Sequence, residues 1–148
     1  MLTDEVKKSI EESVLCWLAT ADSSGEPNCS PKEVFTHHDS NTLLIAHIAS
    51  PESVKNIQSN AKVCVSFVHV LKQKGFKLKG HATYIDASES HYPELYKLIQ
   101  PVAYGFPVKG IIQVKITRVS PILAPSYYLL PGTTEESQIA SARQAYGI

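Results

Sequence analysis

Ser50, Pro51, Glu52, Ser53, Lys55 and Asn56 are the residues of this chain whose types and spacing come nearest to a chemical task. They sit in HIASPESVKNIQSN, where an apolar run stops and a helix-start signal follows: serine suits the N-cap and proline the first helical position. A helix that begins directly after a strand gathers free backbone N–H groups and the positive end of its dipole at one point, which is a way to hold a phosphate. Ser50 and Ser53 add hydroxyls, Lys55 a cation and Asn56 an amide. A plain helix cap beside a solvated lysine would contain the same residues, so the stretch by itself supports both readings.

Other chemical signals are thin. The chain has no P-loop, GxGxxG, GxSxG or HExxH pattern. His37, His38 and Asp39 read as a solvated turn, because adjacent histidines point in different directions and no third ligand lies near in sequence, so no metal site is expected. Glu11-Glu12 and Glu135-Glu136 fall on polar helix faces that would not raise a carboxyl pKa. Cys16, Cys29 and Cys64 form no CxxC pair; Cys16 and Cys64 lie in apolar runs and read as small buried hydrophobes, while Cys29 lies in a more polar strand.

The elements that must position the serine-rich stretch follow from hydrophobic period. Thr3 caps a helix to about Ser13, with Asp4 and Glu5 at the favourable end of its dipole. Residues 14–21 and 28–35, separated by DSSGEP, predict a hairpin, and residues 42–48 a third strand leading into a helix over 51–59. Residues 63–68 and 76–85 predict a second hairpin with Gly80 at a bulge or close approach. A helix over 90–104 should bend or stop early at Pro101, and the aromatic stretch 100–109 after it is expected to pack. Ile112, Val114 and Ile116 alternate with Gln113, Lys115 and Thr117 in the clearest strand, 110–119; the tail holds a capping box at Thr133 and Glu136 and a final helix.

Six strands in short hairpins with small helices predict a mainly β, antiparallel barrel, one domain spanning 1–148. The 148 residues are 43% hydrophobic, enough for one core, and Lys plus Arg equal Asp plus Glu at 14 each. That balance argues against general nucleic-acid or acidic-membrane binding. With no signal-peptide or membrane-spanning pattern, the expectation is a soluble cytoplasmic protein.

The ordered set LATADSSGEPNCSPKEVF (18–35), NTLLIAHIASPESVKNIQSNAKVCVSF (41–67) and KLKGHATYI (77–85) resembles the pyridoxamine 5′-phosphate oxidase-like family of FMN-binding split barrels. The resemblance implies a six-stranded antiparallel split β-barrel that forms a homodimer and holds FMN at the subunit interface. It places Ser30, Pro31 and Lys32 beside the isoalloxazine ring, Ala46, His47 and Ile48 at the ribityl chain and ring edge, and Ser50, Ser53, Lys55 and Asn56 around the phosphate. Lys32 would then set a cation near the ring, where a reduced flavin carries negative charge, or else snorkel from a strand; His47 would contact flavin or pack.

Two departures bear on function. The oxidases that name the family carry a basic pair where this chain has Glu52 and Ser53, and a C-terminal Arg-x-His element that neither Arg118 nor Arg143 reproduces. Oxidation of pyridoxamine phosphate is therefore disfavoured. The leading expectation is an FMN-dependent oxidoreductase exchanging a hydride at flavin N5 with an unidentified small molecule. The alternatives are a non-catalytic flavin- or haem-binding module for storage, sensing or delivery, and a structural dimer without cofactor.

Overall fold

The computed structural model describes residues 1–148. In chain order its elements are α1 (Asp4–Glu12), β1 (Cys16–Ala21), β2 (Pro27–Lys32), β3 (Phe35–His38), β4 (Thr42–His47), α2 (Pro51–Ser59), β5 (Lys62–His69), β6 (Lys74–Asp86), α3 (Tyr92–Ala103), β7 (Gly110–Leu123), α4 (Ser126–Leu129) and α5 (Glu135–Tyr146). The strands form one antiparallel sheet in the order β2-β1-β5-β6-β7-β4-β3. Its two edge strands, β2 and β3, are joined through Glu33 and Val34 alone. A flat row of seven strands would set those edges far apart, so the sheet must roll until they meet, which makes a split barrel.

The fold is the expected mainly β split barrel, with one difference of count. The strand expected over 28–35 is two strands, because the backbone turns at Glu33-Val34 and the Val34 carbonyl leaves the β2 ladder to accept from the Ala46 N–H at 2.9 Å. Alternation fills the barrel with Leu18, Val65, Phe67, Leu78, Ile112 and Val114, and α1 closes one end through Leu2, Val6 and Ile10. β4 is buried on both faces: Leu43 and Ile45 point into the barrel, while Leu44 and Ala46 lie under α3 against Ile99 and Ala103. The bulge at Gly80 is present as a register shift between Lys79 and Gly80, and a Cβ there would strike the Lys115 carbonyl.

Local readings are corrected at four places. Helix α3 runs through Pro101 to Ala103 and ends at Tyr104 in the left-handed region, φ 50°. The stretch 100–109 packs in part: Val102, Ala103 and Val108 join the cluster under α3, while Tyr104 is 81% and Phe106 44% exposed. The tail's capping box is built by Thr134 and Ser137 instead of Thr133 and Glu136, so α5 starts at Glu135. Cys64 is half exposed, since its strand alternates and it takes an outward position, whereas Cys16 is buried as expected. The tail lies on the barrel's own β5–β6 turn, where the Tyr127 hydroxyl donates to the Lys72 carbonyl at 2.7 Å and Lys74 pairs with Glu135 at 3.1 Å. No helix is long and apolar enough to cross a membrane.

Candidate functional site

Helix α2 starts where β4 ends, beside the free edge of β2. Ser50 is the N-cap residue, but its side chain makes no capping hydrogen bond. Pro51 at the first position has no N–H to give, and the N–H groups of Glu52 and Ser53 have no carbonyl a turn earlier in the helix. The start of α2 therefore presents an unspent hydroxyl and open donors. Ser53 is fully buried, and its hydroxyl lies 3.1 Å from that of Ser30, which ties the helix to β2. Asn28, Ser30, Ser50, Glu52, Ser53 and Lys55 surround a hollow of about 350 Å³ at this junction.

Asn56 takes no part in that hollow. Its position three residues after Ser53 turns it onto the buried side of α2, where Nδ2 donates to Thr20 Oγ1 at 3.0 Å. Its amide is spent on docking the helix to β1. Lys55 lies on the exposed side of α2 and is the one cation that lines the hollow.

Lys32 ends β2 directly opposite Cys16 and turns inward. Only 6% of it is exposed, and its Nζ has no hydrogen-bond partner. Burial lowers the pKa of this ammonium, while burial pushes the Cys16 thiol up to about 12 in spite of the lysine's pull. A neutral thiol cannot balance a cation, so Lys32 is a buried donor without a counter-charge.

His47, 8% exposed at the end of β4, is the second such group: its Nδ1 is buried without a partner. Its ring meets Tyr84 edge-on at 5.6 Å and 80°. Gly110, opposite His47 on β7, makes room for the Tyr84 ring that a Cβ would strike. Burial holds the His47 pKa down, Lys109 and Lys32 add to that, and Asp86 opposes it. A neutral imidazole is the favoured form.

The structure thus brings together Ser30, Lys32, His47, Ser50, Ser53 and Lys55 along one edge of the barrel. Pro31 is exposed on the outer face of β2. Ala46 and Ile48 point toward α3, because alternation sends them opposite to His47, and toward the barrel mouth they offer backbone only. Asn28 and Tyr84 are the additions. Asn28 was legible as the residue two before Ser30 on the same face, whereas Tyr84 reaches His47 only through the pairing of β6 with β7.

A sequence model of the family described as pyridoxamine 5′-phosphate oxidase matches residues 2–122, from α1 to the end of the barrel. HupZ from Group A Streptococcus is similar in structure at a TM-score of 0.70 and 25% identity, over 80% of this chain and 92% of that one. An FMN-binding protein from Syntrophomonas wolfei subsp. wolfei is similar at 0.68 and 18%, over 81% and 85%. HutZ, the heme storage protein from Vibrio cholerae, is similar at 0.58 and 17%, over 82% and 94%. No curated protein matches the chain.

Proposed function

The chain belongs to the pyridoxamine 5′-phosphate oxidase family, and on that premise we propose that it is an FMN-dependent oxidoreductase acting on a small molecule. The observation that carries the reading is the pair of orphaned buried nitrogens, Lys32 Nζ and His47 Nδ1, next to an uncapped helix start. Buried polar groups are nearly always partnered, and each one left open costs about 1–3 kcal/mol, so two at one barrel edge fit a polar ligand, with an acceptor for Lys32 Nζ. FMN has acceptors of the required kinds: a phosphate at one end and ring carbonyls at the other.

In this reading Ser50, Ser53, Lys55 and the first free N–H groups of α2 hold the phosphate, with Ser30 and Asn28 closing the hollow on the β2 side. Asn56 acts indirectly, by fixing the helix through Thr20. Lys32, with the backbone of Pro31, lines the ring and places a cation where negative charge gathers on reduction; His47, with the backbone of Ala46 and Ile48, faces the ribityl chain and ring edge. Bound flavin supplies hydride exchange at N5. The chain's contribution is to bind, orient and bias by charge, and neither Lys32 nor His47 needs to transfer a proton.

A homodimer holding the cofactor between subunits is part of the proposal. It is supported by exposed Val14, Leu15, Trp17, Val68 and Val70, which line an apolar groove of about 620 Å³ on the outside of β1 and β5; Trp17 is 47% exposed. Purified protein should show flavin absorbance at about one FMN per subunit and be reducible by NADH or NADPH. A colourless protein that ignores added FMN would overturn the reading and leave a structural dimer.

One observation favours a second reading. His47 offers a buried, neutral imidazole with a free ring nitrogen, the form that ligates iron, and HutZ is named for heme storage. A Soret band lost in His47→Ala would support haem in place of flavin.

A further inference from the structure

In the flavin reading Lys32 serves as a cation, yet in the ligand-free protein nothing near it holds the charge. Its Nζ is buried without a hydrogen-bond partner, it belongs to no ion pair, and the residue opposite it on β1 is Cys16, whose thiol stays neutral. Burial then favours the form without charge. That form is a primary amine with a free lone pair, whereas an ordinary lysine is protonated at neutral pH and has none.

The neighbouring group on this edge is His47. Its Nδ1 is buried and unbonded, and burial, Lys109 and Lys32 together hold its pKa down, so the amine lies near enough to act on the ring. A nucleophilic amine beside a base that can take and return a proton is the pair that carbonyl capture requires. The strand adds an anchor for the rest of the ligand. Asn28, Ser30 and Lys32 alternate with the exposed Cys29 and Pro31 and share one face of β2, and Asn28 and Ser30 line the hollow at the start of α2. Lys32 stands two residues beyond Ser30, about 7 Å along the strand. A phosphate held at α2 therefore leaves room for a chain of about three carbons before the amine is reached. β2 is paired on one side only, so this face is approached from the sheet's free edge without parting a ladder.

We infer that Lys32 captures a short phosphorylated aldehyde as an imine, with the phosphate at the start of α2 and His47 carrying the proton. The inference goes beyond the flavin reading and rests on it only for the phosphate hollow. The amine lone pair forms the N–C bond, one N–H proton passes through His47 to the carbonyl oxygen, and the C–O bond breaks as that oxygen leaves with the second proton as water. An amine and an aldehyde thus give an imine and water, with no oxidant or reductant. A ketone would bring a second carbon substituent against a side chain that is 6% exposed, so the position suits an aldehyde. FMN and the aldehyde occupy the same hollow and exclude one another.

The test uses the full chain stripped of flavin. Incubated with a limiting amount of glyceraldehyde 3-phosphate and reduced with cyanoborohydride, it should gain one covalent addition, placed on Lys32 by peptide mass spectrometry ahead of the exposed lysines. Glyceraldehyde, which lacks the phosphate, should label Lys32 at least ~10-fold more slowly, and excess inorganic phosphate should slow labelling by the phosphorylated aldehyde. His47→Gln should slow the addition roughly 100-fold without moving it to another residue. Lys32→Met, folded by circular dichroism, should keep only slow, scattered labelling; if that variant fails to fold, the site of addition in the wild type decides. Labelling spread over the exposed lysines, Lys32→Met labelled as fast as the wild type, or glyceraldehyde as effective as its phosphate would each overturn the proposal. The flavin reading is judged apart. Protein labelled at Lys32 that stays colourless with added FMN keeps the imine and loses the flavin, and protein that takes up FMN but is not labelled at Lys32 loses the imine alone.

Discussion

Replacing Lys32 by Met separates a binding group from a structural one by the opposite signs of its effects. In the ligand-free protein the ammonium is 6% exposed, has no hydrogen-bond partner and faces a thiol that burial keeps neutral. Removing an unpaired buried donor relieves about 1–3 kcal/mol, and methionine fills the same unbranched volume. At about 2–4 °C per kcal/mol for a domain of this size, the melting temperature of ligand-free Lys32→Met should rise by between about 2 and 12 °C. With FMN present the same change deletes a charge-assisted hydrogen bond worth about 1.5–3 kcal/mol, so the dissociation constant should rise by about 10- to 150-fold. Differential scanning fluorimetry of stripped protein and quenching of free FMN fluorescence read the two quantities independently. If stability and affinity fell together, Lys32 would be a structural residue. If stability rose while affinity held, the cation would not face the ligand.

Three further outcomes follow from the same site. Asn56→Ala should cost about 1–3 kcal/mol in urea unfolding, because it empties a buried position and strands Thr20 Oγ1, and added FMN should restore no more stability than in the wild type. Ser50→Ala/Lys55→Ala should do the reverse, leaving the urea midpoint near wild type, since Ser50 makes no cap bond, while FMN retention on gel filtration drops; unchanged retention would show the phosphate lies elsewhere. The third concerns pH. The folded pKa of His47 is below the ordinary histidine value near 6.5, so between the two the unfolded chain binds more protons and stability rises with pH. Ligand-free protein should therefore lose stability as pH falls through about 6.5 and below, and His47→Gln should flatten that part of the curve. The depressed carboxyls of Asp22, Asp39 and Asp86 act in a separate, more acid window, below the ordinary aspartate value of 3.8.

Most of the barrel was legible because local pattern and tertiary environment agree. Val63, Val65 and Phe67 alternate in sequence and fill the interior in the fold, and Gly80 interrupts its strand where the Lys115 backbone approaches. The misses occur where something outside the window decides. The split between β2 and β3 depends on Ala46 reaching the Val34 carbonyl from another strand, and Pro101 is tolerated because α3 is held by the apolar cluster under Ile99 and Ala103.

The site shows the same division between composition and placement. Spacing found the helix start but could not say which side chains were already committed: Ser50 suits a cap and makes no cap bond, while Asn56 suits a ligand and is bonded to Thr20. Charge balance is the sharper case. Equal numbers of acidic and basic residues argued against attraction to polyanions, and that inference treats the surface as mixed. Period two arranges some of those charges: Lys77 and Lys79 alternate with Phe76, Leu78 and Gly80, so every inward residue of that stretch is apolar or glycine, and these two cations lie on one face with Lys62 and Arg118 beside them. The carboxylates Glu26, Glu33 and Glu52 belong to a turn, a crossover and a helix start at the opposite edge. A neutral total can thus hide a local separation of charge, with the lysine strip and these three carboxylates lying apart on the surface.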